Sequence, residues 1–188
     1  MIESVLTILI TFAAPLPWWL ILLHLAAEKS AAHRLIAYFS IGIAWLVSGY
    51  IAFTNRSILF GSQLPRDLVL QILGATLVLI ALALDWQVMK SLGFKRLTCI
   101  SEIQRDGSPN ELVTTGIYRY ARHPRYVEYF LWSLGLAFIF SYVFLFWFSA
   151  YLLLAFWLVS YFEEAELVRR FGQAYINYQM KVPRFFIR

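Results

Sequence analysis

The chain has 188 residues, of which 61% are hydrophobic and 14% charged, and its formal net charge is +5. A soluble domain is about 45–50% apolar and about 25% charged, so this composition excludes an ordinary soluble protein and requires lipid around much of the surface. Nucleic acid is a poor partner because the basic residues are not gathered on a soluble module. The single cysteine, Cys99, excludes an intrachain disulfide.

Three apolar segments in the first half of the chain are each near the ~20 residues that cross a bilayer. We predict membrane spans at about 5–27, 35–53 and 68–89. Pro15 and Pro17 interrupt the first span and predict a kink there. Asp85 lies near the end of the third span, where an ionisable residue is either functional or an interfacial group beside Lys90.

A polar segment, 91–115, leads to a basic cluster and then to an apolar run at 127–162. This run is too long for one crossing and suits two, so it predicts a helical hairpin with its turn near Ser141 and Tyr142. After the hairpin, apolar residues that are four, four and three positions apart predict an amphipathic helix. Its apolar positions are Leu167, Phe171, Tyr175 and Tyr178.

The predicted fold is therefore an all-α integral membrane protein with about five transmembrane helices. It includes the C-terminal helical hairpin and ends in a cytoplasmic amphipathic helix. Most Lys and Arg residues lie in 91–125 or after Glu163, so both segments are expected to face the cytoplasm. Counting back over three spans then places the N-terminus outside.

Charged clusters stand at both ends of the predicted hairpin. They are Arg119, Arg122, His123 and Arg125 before it, and Glu163, Glu164 and Glu166 after it. Because the two ends of an antiparallel hairpin meet at one membrane face, the clusters should lie side by side. They could neutralise each other in an interfacial network, or they could bind a zwitterionic ligand.

Two motifs contain these clusters. The first is Gly116-Ile117-Tyr118 with Arg122-His123-Pro124-x-Tyr126, and the second is Glu163-Glu164, Leu167, Phe171-Gly172, Tyr175, Tyr178 and Val182-Pro183-Arg184. In order and spacing they resemble the signature of the isoprenylcysteine carboxyl methyltransferase family, which is related to the membrane phospholipid N-methyltransferases. The resemblance covers 92–188, about half of the chain, and the first three spans match only as apolar helices.

The resemblance implies methyl transfer from S-adenosylmethionine to a lipophilic acceptor at the cytoplasmic membrane face. The acceptor could be a prenylcysteine carboxylate, a phospholipid amine or a small thiol. The chain would be one membrane domain, with three N-terminal spans in 1–90 and a catalytic half in 91–188.

The resemblance also implies site residues. The cofactor-binding set is expected to be Tyr118, Arg122, His123, Pro124, Tyr126, Glu163 and Glu164. We expect Arg184 to bind an anionic group of the acceptor. Glu128 departs from the family, in which many relatives carry a small residue there; one turn inside the hairpin, it is expected to select the substrate or to act as a base. No metal site is predicted.

Structural roles compete with these assignments. His123 could simply cap the helix that begins at Pro124, and the glutamates could be a solvated helix start. An alternative function for the whole protein is that of a membrane sterol reductase using NADPH, because such enzymes have an Arg-x-Pro-x-Tyr segment similar to the one in this chain. In those enzymes the motif continues with Gly-Glu, which Val127-Glu128 matches only out of register. A non-catalytic membrane scaffold is the second alternative.

Overall fold

The structure is a computed structural model that describes residues 1–26, 29–92 and 112–186. Throughout these ranges the regular structure is helical, which confirms the predicted all-α class. The elements are α1 (Ile2–Ala13), α2 (Leu16–Ala26), α3 (Ala31–Thr54), α4 (Arg56–Phe60), α5 (Leu68–Leu92), a 3₁₀ helix (Gly116–Arg119), α6 (Pro124–Phe140), α7 (Val143–Phe171) and α8 (Gln173–Lys181).

Four described segments are long and apolar enough to cross a membrane. They are Ile2–Ala26, Ala32–Thr54, Leu68–Leu92 and Val143–Phe171. Large apolar side chains cover the outer faces of α3 and α5, where Leu46 is 76% and Val69 73% exposed. Such surfaces need lipid, so the protein is an integral membrane protein. A fifth crossing by α6, which has 17 residues, stays a prediction.

The prolines of the first span separate two helices instead of bending one. Helix α1 ends at Ala13 and α2 begins at Leu16. The break frees backbone groups that lipid cannot satisfy. The Tyr151 hydroxyl on α7 donates a hydrogen bond of 2.6 Å to the Ala14 carbonyl oxygen, so a neighbouring helix compensates for the break.

Helices α6 and α7 form the predicted hairpin, with its turn at Ser141 and Tyr142. Ser141 has a φ of 57° and ends α6 in the left-handed conformation. The loop after α4 satisfies the backbone of the turn: the Leu64 N–H donates to Ser141 O at 2.8 Å, and the Val143 N–H donates to Ser62 O at 3.0 Å. The turn therefore leaves these backbone groups paired.

The predicted helix boundary at residue 162 is wrong, because α7 continues unbroken through the glutamates to Phe171. Glutamate is a good helix former, and no glycine or proline follows until Gly172. Gly172, with a φ of 55°, separates α7 from the short helix α8. Tyr175 and Tyr178 of α8 pack against Leu167 and Phe171 of α7, so the predicted amphipathic face is shared by two helices.

Helices α5 and α6 approach each other closely at two glycines. A Cβ placed at Gly135 would lie 2.8 Å from the Gly74 carbonyl oxygen and 2.8 Å from a Val78 methyl carbon. The first of these neighbours is backbone and cannot rotate away. This contact positions α6, and with it the polar residues at its N-terminal end.

We expect Gly135→Ala to lower the free energy of unfolding by about 1–3 kcal/mol, since an added methyl group forces two packed helices apart. Gly42→Ala on α3 is the matched control, because no atom lies within 4 Å of its new Cβ. It should be neutral or stabilising by up to about 1 kcal/mol. Unfolding in mixed micelles measures both, and equal stabilities would contradict the close approach.

Candidate functional site

The C-terminal tail pairs with the segment that enters α6. The backbone N–H groups of Arg122 and His123 donate to the carbonyl oxygens of Pro183 and Arg184, both at 3.0 Å. The Tyr178 hydroxyl donates to the Tyr118 carbonyl oxygen at 2.5 Å. Residues from both sequence motifs, separated by the whole hairpin, are therefore adjacent.

Glu164 is the centre of the resulting cluster. Its side chain is 6% exposed, and its Oε1 accepts from Arg122 Nε at 2.9 Å and from His123 Nε2 at 3.0 Å. Its Oε2 accepts from Arg184 Nη2 at 2.7 Å and from Gln179 Nε2 at 3.1 Å. Both oxygens are thus committed to side chains of the protein itself. A buried carboxylate held this way joins α7, the start of α6 and the tail.

Arg122 and Arg184 are the two arginines of this network. Arg122 Nη1 also donates to the carbonyl oxygens of Gln179 and Val182, at 3.0 Å and 2.6 Å. Arg122 therefore pairs with Glu164 and the tail backbone. Arg184 is more open, with 22% of its side chain exposed, and its guanidinium lies 3.9 Å from the Tyr161 ring centroid. It stands at the edge of the cluster.

His123 bridges the two neighbouring glutamates. Its Nδ1 lies 3.2 Å from Glu163 Oε2 and its Nε2 lies 3.0 Å from Glu164 Oε1, while its side chain is 3% exposed. Burial alone would lower the pKa of His123, but the two carboxylates outweigh burial and raise the pKa above its usual range. With a carboxylate on each ring nitrogen, both nitrogens act as donors and the imidazolium is the favoured form.

The raised pKa of His123 predicts pH-dependent stability. A histidine whose pKa is higher in the folded state contributes stability that is complete below about pH 6.5, its unfolded value, and is lost as pH rises through the folded pKa. We expect the free energy of unfolding to fall over that range in the wild type and to depend less on pH in His123→Gln. His33→Gln, at an exposed position, should retain the wild-type profile. Parallel profiles for all three proteins would contradict the bridge.

Glu163 differs from Glu164 in what its oxygens meet. Its Oε2 faces His123 and accepts from the Tyr126 hydroxyl at 2.6 Å. Its Oε1 has no hydrogen bond to any residue that the structure describes, and the side chain is 28% exposed. Of the two glutamates, Glu163 therefore offers the free acceptor.

Pro124 and Tyr126 shape the floor of the cluster. Pro124 is the first residue of α6, where its fixed φ suits a helix start. The Tyr126 ring stacks on His123 at 5.3 Å and on Phe156 at 4.9 Å, and Phe156 in turn stacks on Tyr129 at 5.1 Å. These four rings connect the polar cluster to the apolar interior.

Tyr118 lies beside the same carboxylates. Burial, followed by the charge of Glu163, raises the pKa of its phenol, and Glu128 contributes in the same direction. The phenol therefore keeps its proton and can act as a hydrogen-bond donor. The charges of both Glu163 and Glu128 act on it.

The structure places Glu128 outside the cluster, in a cavity of about 270 Å³ between α1, α6 and α7. The cavity wall is otherwise almost entirely apolar. Its lining includes Leu6, Ile10, Leu145, Phe148 and Leu152. Two further lining residues, Leu9 and Phe12, are 39% and 48% exposed, so the cavity reaches the surface of the bundle.

The sequence did not lead us to predict one polar contact, which a histidine of the N-terminal half makes with the acidic cluster. His24 Nδ1 on α2 lies 2.6 Å from Glu166 Oε2 on α7, and Glu166 is 2% exposed. His24 also interacts electrostatically with Glu163. The available signal was an ionisable residue within the first membrane span, which is rare without a partner.

Part of the chain is similar to known proteins. The profile of the phospholipid methyltransferase (PEMT) family matches residues 69–174. A protein-S-isoprenylcysteine O-methyltransferase of Schizosaccharomyces pombe is 45% identical over 78 residues, which are 38% of this chain and 31% of that protein. No solved structure matches the chain with statistical significance.

Longer matches have lower identity. The protein-S-isoprenylcysteine O-methyltransferases of Xenopus laevis and Homo sapiens are 27% and 28% identical over 145 and 150 residues, each match covering 73% of this chain. These matches cover 47% and 48% of the two relatives, so the chain spans about half the length of these curated proteins. Since the family profile covers more than half of the chain, including both clusters up to α8, the chain belongs to the phospholipid methyltransferase family.

Proposed function

We propose that the chain transfers a methyl group from S-adenosylmethionine to a lipophilic acceptor, with its site at the cytoplasmic membrane face. One observation carries the proposal: a buried acid–base cluster lies at one end of a membrane hairpin and adjoins an apolar cavity. Family membership favours this function over an NADPH-dependent reductase and over a non-catalytic scaffold.

The relatives support a lipophilic acceptor. Those compared carry the name protein-S-isoprenylcysteine O-methyltransferase, and the family is described as phospholipid methyltransferase. Prenylated cysteine and phospholipid are both amphiphiles. The cavity between α1, α6 and α7 offers apolar room next to the cluster, as an acceptor entering from the bilayer would require.

Residues at the open edge of the cluster fit the polar groups of S-adenosylmethionine. Glu163 Oε1, free of hydrogen bonds within the described residues, can accept from a ribose diol or an ammonium group. The partly exposed guanidinium of Arg184 can hold a carboxylate. We therefore assign direct binding to Glu163 and Arg184, with Tyr118 beside them. Glu164, Arg122 and His123 hold them in place.

When bound, S-adenosylmethionine supplies the methyl group and loses its sulfonium charge on transfer, which a water-poor site favours. The chain contributes position and exclusion of water. The stacked rings of His123, Tyr126 and Phe156 close the floor of the site. Holding the methyl donor and the acceptor in a fixed geometry can account for a large part of the rate enhancement of a bimolecular transfer.

The distribution of charge supports the proposed orientation. The cluster lies within the two segments that hold most of the Lys and Arg residues, and basic segments are retained on the cytoplasmic side. S-adenosylmethionine would then reach the site from the cytosol.

The proposal is tested by incubating the purified protein with methyl-labelled S-adenosylmethionine and three kinds of acceptor. These are a phospholipid amine, a farnesylcysteine analogue and a small thiol. We expect label in at least one lipophilic acceptor. Binding of NADPH without any response to S-adenosylmethionine would overturn the proposal.

A further inference from the structure

A second polar contact between helices holds the end of α7, outside the cluster centred on Glu164. His24 Nδ1, near the end of α2, lies 2.6 Å from Glu166 Oε2 on α7, and the two side chains are 13% and 3% exposed. A carboxylate buried to that degree is unfavourable unless a donor or a cation meets it. Arg170 is a second charged neighbour, 3.9 Å from Glu166, but it belongs to α7 itself. The contact with His24, by contrast, fixes α7 against another helix.

Helix α2 is itself attached to its neighbours. The Trp19 indole Nε1 donates to the Ala37 carbonyl oxygen of α3 at 2.9 Å, and Ile21 and Leu23 of α2 are buried. The helix ends at Ala26, two residues after His24. A side chain at this end of α2 can therefore hold α7 in place.

The order of the acidic residues along α7 places Glu163 between two held neighbours. Successive residues of an α-helix lie about 100° apart around its axis. Glu164 is therefore about 100° to one side of Glu163, and Glu166 is about 60° to the other side. The start of α6 and the tail hold Glu164, and α2 holds Glu166. Together these contacts fix the rotation of this end of α7 and the direction in which Glu163 points.

We infer that His24 is a positioning residue of the cofactor site: by holding Glu166 it fixes the end of α7 and keeps Glu163 directed toward the cofactor. This inference rests on the proposed function in one respect, that Glu163 binds S-adenosylmethionine. His24 lies in the first membrane span, outside residues 69–174 that match the family profile. The N-terminal half of the chain thus contributes to the geometry of the site.

Calorimetric titration of the purified protein with S-adenosylmethionine tests the inference in three variants. His24→Leu removes the hydrogen bond and should weaken binding about tenfold, the low end of the range for residues that orient metal-binding side chains. Leucine suits a membrane helix, so this variant should still insert. His24→Asn places an amide N–H donor where the Nδ1 of histidine lies and should restore most of the affinity. His33→Leu, at an exposed position, should bind as the wild type does.

The asparagine variant separates the hydrogen bond from the charge. His24 also interacts electrostatically with Glu163, and asparagine keeps a donor but carries no charge. Equal losses of affinity in His24→Asn and His24→Leu would overturn the inference, because the hold on Glu166 would then not explain the effect.

A double variant tests whether His24 acts through Glu163. The loss of affinity in His24→Leu/Glu163→Gln should be smaller than the sum of the two single losses, because orienting Glu163 matters less once its carboxylate is gone. Losses that add would overturn the inference.

Amide hydrogen exchange, measured without cofactor, separates this inference from the proposed function. Residues 163–171 should exchange about tenfold faster in His24→Leu than in the wild type, since a hydrogen bond to a charged group is lost. Unchanged exchange, or faster exchange with wild-type affinity for S-adenosylmethionine, would overturn the positioning role and leave the proposed function standing. A wild type that does not bind S-adenosylmethionine, with exchange accelerated in His24→Leu, would overturn the proposed function and leave the hold of His24 on α7 standing.

Discussion

Glu164→Ala is expected to destabilise the protein by about 3–5 kcal/mol, the range for removing one member of a buried ion-pair network. The carboxylate is 6% exposed and is hydrogen-bonded to Arg122, His123 and Arg184. Its removal leaves these cations without their shared partner. Unfolding in mixed micelles measures the loss of stability.

The same substitution should also release the C-terminal tail. Two of the partners of Glu164, Gln179 and Arg184, belong to α8 and the tail. Limited proteolysis should therefore cut Glu164→Ala after α7 faster than it cuts the wild type.

A control is Glu3→Ala, which removes a 46% exposed carboxylate that lies 3.6 Å from Arg56 and accepts a hydrogen bond of 3.2 Å from the Tyr142 hydroxyl. An exposed pair of that kind contributes about 0–1 kcal/mol. The double variant Glu164→Ala/Arg184→Ala should be less destabilised than the sum of its single variants, because each removes the same interaction. Additive losses, or equal losses for Glu3→Ala and Glu164→Ala, would show that Glu164 does not hold the tail.

Segment length and charge were sufficient to predict most of the fold. The apolar run at 127–162 was too long for one crossing, and the structure turns at Ser141 and Tyr142 as predicted. The hairpin and the position of its turn could be predicted because the thickness of the bilayer sets the length of a membrane-spanning helix. The helix end at residue 162 failed for the opposite reason: it was placed where charge begins, but α7 buries Glu164 and Glu166 and continues.

Proximity within the site could be predicted, but the partners of each side chain could not. The sequence predicted that the basic and the acidic cluster lie at one end of the hairpin. From the sequence, Glu164 was expected to bind the cofactor. Adjacent residues on a helix point about 100° apart, so only packing decides that Glu164 faces the tail while one oxygen of Glu163 meets no hydrogen-bonding group in the described part of the chain. His24 was missed because its partner, Glu166, is 142 positions away in sequence.

Glu163→Gln is expected to weaken binding of S-adenosylmethionine about ten- to a hundredfold, the equivalent of losing one hydrogen bond to a charged group. Glutamine keeps the shape of the side chain but replaces an acceptor oxygen and removes the negative charge. Calorimetric titration of the purified protein measures the change.

Substitutions of Glu163 and Glu164 should thus affect different properties of the protein. Glu163 has an Oε1 with no hydrogen bond to the residues that the structure describes and is 28% exposed, so its substitution should affect cofactor binding more than stability. Glu164 has both oxygens engaged, so its substitution should affect stability first. Glu3→Gln supplies the control for the chemical change and should leave the cofactor affinity unchanged. If Glu163→Gln binds S-adenosylmethionine as the wild type does, the free oxygen is not a cofactor ligand. If it instead loses as much stability as Glu164→Ala, then the contacts of Glu163 with His123 and Tyr126 matter as much for folding as those of Glu164, and the division of roles between these neighbours is wrong.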